Sequence, residues 1–181
     1  MNKTYKTVAS SQISIAELMQ PLHSNFGGKI HGGYMLSLMD QIAYACASKH
    51  SENYCVTASV DTVDFLEPVE IGELVTMKSS INFVGKTSMV VGIRVEAENI
   101  RTGLVKHCNS SYFTMVAKDD VGKSIPVPGL VLSTLEEVKR FLKAIERNYT
   151  KRNRRIEFSS EDFVLDHYLK ELEGYNIKLD L

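Results

Sequence analysis

Asn25-Phe26-Gly27-Gly28-Lys29-Ile30-His31-Gly32-Gly33 runs straight into Tyr34-Met35-Leu36-Ser37-Leu38-Met39-Asp40-Gln41-Ile42. A polar, glycine-rich loop therefore opens an apolar helix that carries one carboxylate. Glycines at a helix start leave backbone N–H groups uncovered at the positive end of the helix dipole, which favours an anion or a developing oxyanion. Asp40 falls between an apolar arc of Leu36, Ala43 and Ala47 and a polar arc of Ser37, Gln41 and Ser48. That position sets its charge at a boundary or in a cleft. A carboxylate beside oxyanion donors suits attack on a carbonyl. His31 has two readings, as a base or as a structural residue that holds the loop through its ring nitrogens.

The elements that must position these groups follow from periodicity. After the helix come period-two segments. Val56, Ala58 and Val60 alternate with polar neighbours, as do Val75, Met77, Ile81 and Phe83, and then Met89, Val91, Ile93, Val95 and Ala97. A fourth run, 104–117, is apolar at both parities near its end, the pattern of a strand covered on both sides. Breaks at 68–73, 85–86 and 101–103 are too short for parallel crossovers, so neighbouring strands are antiparallel. With an earlier strand over 12–18, the order is strand, long helix, then four strands. The expected class is α+β, one antiparallel sheet wrapping one buried helix.

Beyond Pro126-Val127-Pro128-Gly129 the pattern turns helical. Ser133 and Glu136 form the expected capping box, and Leu135, Val138, Leu142, Ile145 and Tyr149 make an apolar stripe. A basic run of Lys151, Arg152, Arg154 and Arg155 follows, then a second short helix over 160–173 stopped by Gly174.

Composition narrows the function. The chain of 181 residues is 44% hydrophobic, enough for one proper core. A net charge of −1 lacks the basic footprint of a nucleic-acid binder. No signal-peptide run follows Met1, and Asp40 within the only long apolar stretch argues against a membrane span. Cys46, Cys55 and Cys108 are odd in number and widely spaced, so neither a disulfide framework nor a zinc site is expected, and the expected compartment is reducing cytosol. Gly-x-Ser-x-Gly, His-Glu-x-x-His and the Rossmann glycine triplet are missing. Gly85-Lys86-Thr87 and Gly122-Lys123-Ser124 fail as P-loops because Ser80 and Ala117 stand where the first glycine belongs.

The chain resembles the hot-dog-fold acyl-CoA thioesterases, and within them the cytosolic acyl-CoA hydrolase group. The likeness covers about 18–130. It is carried by the 25–40 block, Val56-Thr57-Ala58-Ser59-Val60-Asp61, Phe65-Leu66-Glu67-Pro68-Val69, Gly85-Lys86-Thr87-Ser88 and Pro126-Val127-Pro128. The resemblance implies a hot-dog domain over 1–130, its antiparallel sheet wrapped around a long central helix, with a C-terminal helical extension over 131–181. It implies a cytoplasmic hydrolase of fatty acyl-CoA, with Asn25 and Asp40 as the catalytic pair and His31, Gly32, Gly33 and Thr57 on the oxyanion or substrate. No metal or cofactor is implied, coenzyme A being part of the substrate, and no nucleic-acid or membrane partner. A homo-oligomer is implied, commonly a trimer of dimers, with Asn and Asp from different hot-dog units.

The chemistry agrees. A thiol of pKa about 8.5 leaves without a strong general acid, so Asp40 suffices as nucleophile or as the base that activates water, with Asn25 orienting water or carbonyl. The phosphates of coenzyme A call for cations at the rim. Candidates are Lys86 with Thr87 and Ser88, and the run containing Arg154 and Arg155, whose other reading is a solvated helix end. A hot-dog hydratase would place a histidine five residues after the Asp, where Ala45 stands. A non-catalytic acyl-CoA-binding or sensor domain would add an effector segment and lose the catalytic pair. Asp40 also lies eight residues beyond Gly32, about 12 Å along the helix axis. That is too far to face a carbonyl held at its own helix start, so sites shared between two protomers are expected.

Overall fold

A computed structural model describes residues 4–157, with side chains as far as Lys151. The elements are β1 (Tyr5–Thr7), β2 (Ile13–Leu18), α1 (Gly32–Ser51), β3 (Tyr54–Val60), β4 (Leu74–Val84), β5 (Ser88–Asn99), β6 (Leu104–Lys118), β7 (Gly129–Val131) and α2 (Leu135–Glu157), with single 3-10 turns at Ala9–Ser11 and Pro21–His23. Five strands form one antiparallel sheet in the order β2-β4-β5-β6-β3. The hot-dog arrangement read from the sequence is the one observed.

Alternation explains the sheet. On β5, Met89, Val91, Ile93, Val95 and Ala97 are all buried, while Arg94 is exposed. That row meets Leu38, Met39, Ile42 and Cys46 of α1 in one core. β6 differs in part from expectation. Beyond Ser111 its inner residues are buried and its outer ones, such as Tyr112 and Thr114, are half-buried, so its cover is incomplete on one side. β3 carries a bulge, since Thr57 pairs with Met115 but Ser59 with Thr114.

Two elements were not expected. β1 and β7 form a parallel pair in register Tyr5 to Gly129. Gly129 belongs there because a Cβ would stand 2.5 Å from the Tyr5 ring. At the start of α2 the capping box falls one residue later than Ser133 and Glu136. The Glu137 N–H donates to Thr134 Oγ1 at 3.2 Å, and Glu137 Oε2 accepts from the Thr134 N–H at 3.2 Å. Glu136 instead pairs with Arg140 at 3.1 Å. The expected stripe of Leu135, Val138, Leu142, Ile145 and Tyr149 is exposed. Phe141, 5.1 Å from Phe83, and the buried Ala144 make the helix's contact instead. The compact unit that holds the sheet and α1 ends at Ala144, and the chain from Ile145 forms a second unit. The helix expected over 160–173 lies outside the described residues. Among the described residues no helix is long and apolar enough to cross a membrane.

His50, in the last turn of α1, has no exposed surface. Its Nε2–H donates to the Pro128 carbonyl at 3.2 Å, and its Nδ1 is buried without a partner among the described residues. Burial lowers its pKa, because an imidazolium there would be charged and half unpaired. The unfolded chain then takes up this proton first, so the stability His50 contributes is complete above about pH 6.5 and is lost as pH falls through the lower folded value. Urea unfolding between pH 7.5 and 5 should show that loss, and His50→Gln should remove the share of pH dependence that His50 supplies.

Candidate active site

The site is built around the start of α1. His31 is the N-cap residue, extended at φ −65° and ψ 128°, and its Nδ1 accepts from the Gly33 N–H at 2.9 Å. An Nδ1 that accepts leaves the proton of the neutral ring on Nε2, so His31 holds the helix start and its Nδ1 lone pair is engaged. A Cβ on Gly33 would lie 2.7 Å from the His31 ring and displace the cap. Of the two glycine N–H groups expected as oxyanion donors, that of Gly33 is occupied by the cap. Among the described residues nothing accepts from the Gly32 N–H. Phe65, which the sequence placed in the 65–69 block without a site role, covers Gly32, its ring 3.4 Å from where a Cβ would be.

Asn25 precedes the helix in a tight turn. Its Oδ1 accepts from the N–H of Gly27 at 2.9 Å and of Lys29 at 3.2 Å, and its own N–H donates to the Lys29 carbonyl at 2.7 Å. The side chain is exposed. With Oδ1 doubly engaged, the Nδ2 donors are what Asn25 can offer a carbonyl or a water.

Asp40 is exposed, on the third turn of α1. Thr57 Oγ1 donates to its Oδ1 at 2.5 Å, which leaves Oδ2 without a partner among the described residues. The bulge after Thr57 lies at this contact, as bulges do where a strand must re-aim a side chain. Two pockets share Asp40. One, of about 460 Å³, has apolar walls from Leu36, Val60, Val63 and Phe113 and reaches Gly33. The other, of about 590 Å³, is lined by Tyr44, Tyr54, Val56 and Thr57. Within one protomer the structure thus joins Asp40 to Thr57 and sets Gly33 in a pocket with Asp40. It shows no contact between Asn25 and Asp40.

The sequence and the fold both have known counterparts. Residues 27–104 match the thioesterase superfamily. Protein VdlD of Helicobacter pylori is 40% identical over 80% of this chain and 82% of its own. The uncharacterized acyl-CoA thioester hydrolase YkhA of Bacillus subtilis is 37% identical over 75% of this chain and 78% of its own. The chain belongs to the thioesterase superfamily. Its structure is similar to an apo-hexameric acyl-CoA thioesterase, with a TM-score of 0.83 and 34% identity over 86% of this chain and 99% of that one. It is also similar to an acyl-CoA hydrolase from Staphylococcus aureus solved with butyryl coenzyme A and coenzyme A, with a TM-score of 0.78 and 28% identity over 93% and 98%. That hydrolase has also been solved as alanine variants at one Asn, one Asp and one Thr.

The remaining expected residues of this thioesterase lie elsewhere. Lys86 is exposed in the β4–β5 hairpin turn, closed by the Gly85 N–H donating to the Ser88 carbonyl at 2.8 Å. Thr57 pairs with Met115, and Met115 with Met89, so Lys86, Thr87 and Ser88 stand at the end of the sheet that holds Thr57. The side chains of Arg154 and Arg155 lie outside the described residues. Because His31 caps α1 through its ring, His31→Ala should cost about 1 kcal/mol in urea unfolding. His31→Asn, which restores a short-chain acceptor, should recover most of it.

Proposed function

We propose that this thioesterase hydrolyses fatty acyl-CoA to free fatty acid and coenzyme A at a site centred on Asp40. One observation carries the reading: Asp40, steadied by Thr57, keeps one carboxylate oxygen free where an apolar pocket that reaches the helix start meets a second pocket. The apolar pocket fits an acyl chain. The free oxygen serves either to take a proton from an attacking water or to attack the carbonyl itself. The negative charge that develops on the carbonyl oxygen is held by the Gly32 N–H and the positive end of α1 in the protomer that supplies Asn25. The C–S bond then breaks and the thiolate leaves; where Asp40 itself has attacked, a water then hydrolyses the acyl anhydride, releasing the fatty acid and restoring the carboxylate. The Asn, Asp and Thr replaced in the Staphylococcus aureus hydrolase are 15 and 17 residues apart. Asn25, Asp40 and Thr57 have the same spacing, which supports their assignment.

A site shared by two protomers is part of this reading. It is supported by the lack of contact between Asn25 and Asp40 in one chain and by β3, which forms an edge of the sheet. The exposed Phe26, Tyr44, Tyr54 and Val60 lie on the loop, helix and strand concerned. The related hexameric structure supports a homo-oligomer, and in this reading the hexamer is a trimer of such dimers. Cys46, Cys55 and Cys108 are buried free thiols, in keeping with a reducing cytosol.

Purified protein should release thiol from acyl-CoAs, and Asn25→Ala and Asp40→Ala should each abolish most of it. Co-refolding the two variants should restore about a quarter of wild-type activity, since half the dimers are mixed and each has one intact site. Recovery no greater than the sum of the parents, with mixed dimers confirmed, would place both residues in cis. Binding of acyl-CoA without any thiol release would favour the sensor reading.

We assign phosphates of coenzyme A to Lys86, Thr87 and Ser88, and keep the run containing Arg154 and Arg155 as a second, separate candidate for phosphate binding. Lys86→Ala, and Arg154→Ala with Arg155→Ala, should raise KM more than they lower kcat. The defect should shrink with an acyl-pantetheine that lacks the nucleotide, because remote charges supply uniform binding.

A further inference from the structure

The turn that carries Asn25 is joined to the helix start by side chains that the reaction does not use. The single turn Pro21–His23 enters it. The His23 ring lies flat on the Tyr34 ring, with 3.8 Å between centroids and 17° between planes. Tyr34, in the first turn of α1, donates its hydroxyl to Glu17 Oε1 on β2. Beside the stack the His31 N–H donates to the His23 carbonyl at 2.8 Å. Sheet, helix start and loop entrance therefore meet at Tyr34. The hydrogen bond to Glu17 and burial hold the Tyr34 hydroxyl up to about 12, so the phenol remains a donor at neutral pH.

The turn itself is stiff. Asn25 Oδ1 accepts two N–H groups and the Asn25 N–H donates across the turn, so residues 25–29 are tied together as one piece. Where Nδ2 stands depends on the two joints of that piece. At the far joint the Ile30 N–H donates to the Val69 carbonyl at 2.9 Å and Lys29 pairs with Glu70 at 2.5 Å. Glu73 Oε2 accepts from the Glu70 N–H at 2.8 Å, and Glu73 pairs with Lys106 at 2.8 Å. The near joint has the backbone bond from His31 to His23, the N–H and hydroxyl of Ser24 both donating to the Pro21 carbonyl at 3.0 and 2.7 Å, and the ring stack on Tyr34.

We propose that Tyr34, braced by Glu17, is a positioning residue that sets the Asn25 amide relative to the Gly32 N–H through its stack on His23. The inference rests on Asn25 acting as the orienting group of the reaction. Asn25 and Gly32 both belong to the helix start of one protomer, so the brace works within a chain whichever protomer supplies Asp40. A displacement of about 1 Å in such a group costs on the order of a hundredfold in rate, while the helix and its core stay intact.

The test is a coupling experiment on the full chain, with thiol release from an acyl-CoA as the readout and circular dichroism and size exclusion to confirm fold and assembly. Tyr34→Leu removes both stack and hydroxyl, and His23→Ala removes the stack without touching α1. Each should lower kcat by about 10- to 100-fold with KM held within about threefold, the mark of an interaction felt in the transition state. Tyr34→Phe keeps the ring and should stay within about fivefold of wild type. Introduced into Asn25→Ala, the Tyr34→Leu change should cost no more than about a further twofold. A full additional loss in that background would overturn the inference, because Tyr34 would then act on stability or packing alone. An unchanged kcat in both Tyr34→Leu and His23→Ala would overturn it as well. An unchanged kcat in Asn25→Ala would overturn the role given to Asn25, and the brace with it. A normal Asn25→Ala defect without coupling would overturn the brace only.

Discussion

The site depends on α1 being pressed into the concave side of the sheet. Leu38, Met39, Ile42 and Cys46 are almost wholly buried against the inner rows of β4, β5 and β6. At roughly 1.5–3 kcal/mol for each large apolar side chain, the three larger ones alone approach the 5–15 kcal/mol that separates folded from unfolded chains of this kind. The same contact fixes what the rest of the helix can present. With one arc committed to the core, Asp40 is carried outward to β3, and the glycine start is carried to the mouth of the apolar pocket.

Local hydrogen bonds then refine what the core has placed. His31 ties down one helix-start N–H and so leaves the neighbouring one, on Gly32, as the free donor. Asn25 uses its carbonyl oxygen on its own turn, which makes it a donor toward the site. Thr57 occupies one oxygen of Asp40 and leaves the other open. In each case a bifunctional group has one capacity consumed by structure, and the remaining capacity is the one the proposed mechanism uses. Groups held in this way need little reorganisation when charge develops, the condition for electrostatic catalysis.

The exposed apolar residues have a related logic. An edge strand with exposed Tyr54 and Val60, beside Tyr44 of the helix, is a liability in an isolated chain. A second copy of the same edge would remove that liability, and a dimer of this kind would also bring a second helix to the pockets that share Asp40.

The sequence by itself determined the strand and helix order, the antiparallel class and the carboxylate on a glycine-led helix. Each is a local property: alternation, break length and residue type are legible without knowing what lies opposite. The family resemblance added Thr57, to which no spacing pointed. Tertiary structure alone decided the Thr57 bond to Asp40, because that contact spans the helix-to-strand turn and depends on the bulge after Thr57. It decided the β1–β7 pair, since three-residue strands are too short to show a period and their partners are far apart in the chain. It chose Thr134 over Ser133 as cap, two adjacent hydroxyls of equal chemistry, and Phe141 and Ala144 over the more regular apolar stripe as the contact face of α2. It also showed that Gly33 supports the cap while Gly32 keeps its donor. A chain can state which groups it has, but which of their hydrogen-bonding capacities remain free is settled only when every neighbour is in place.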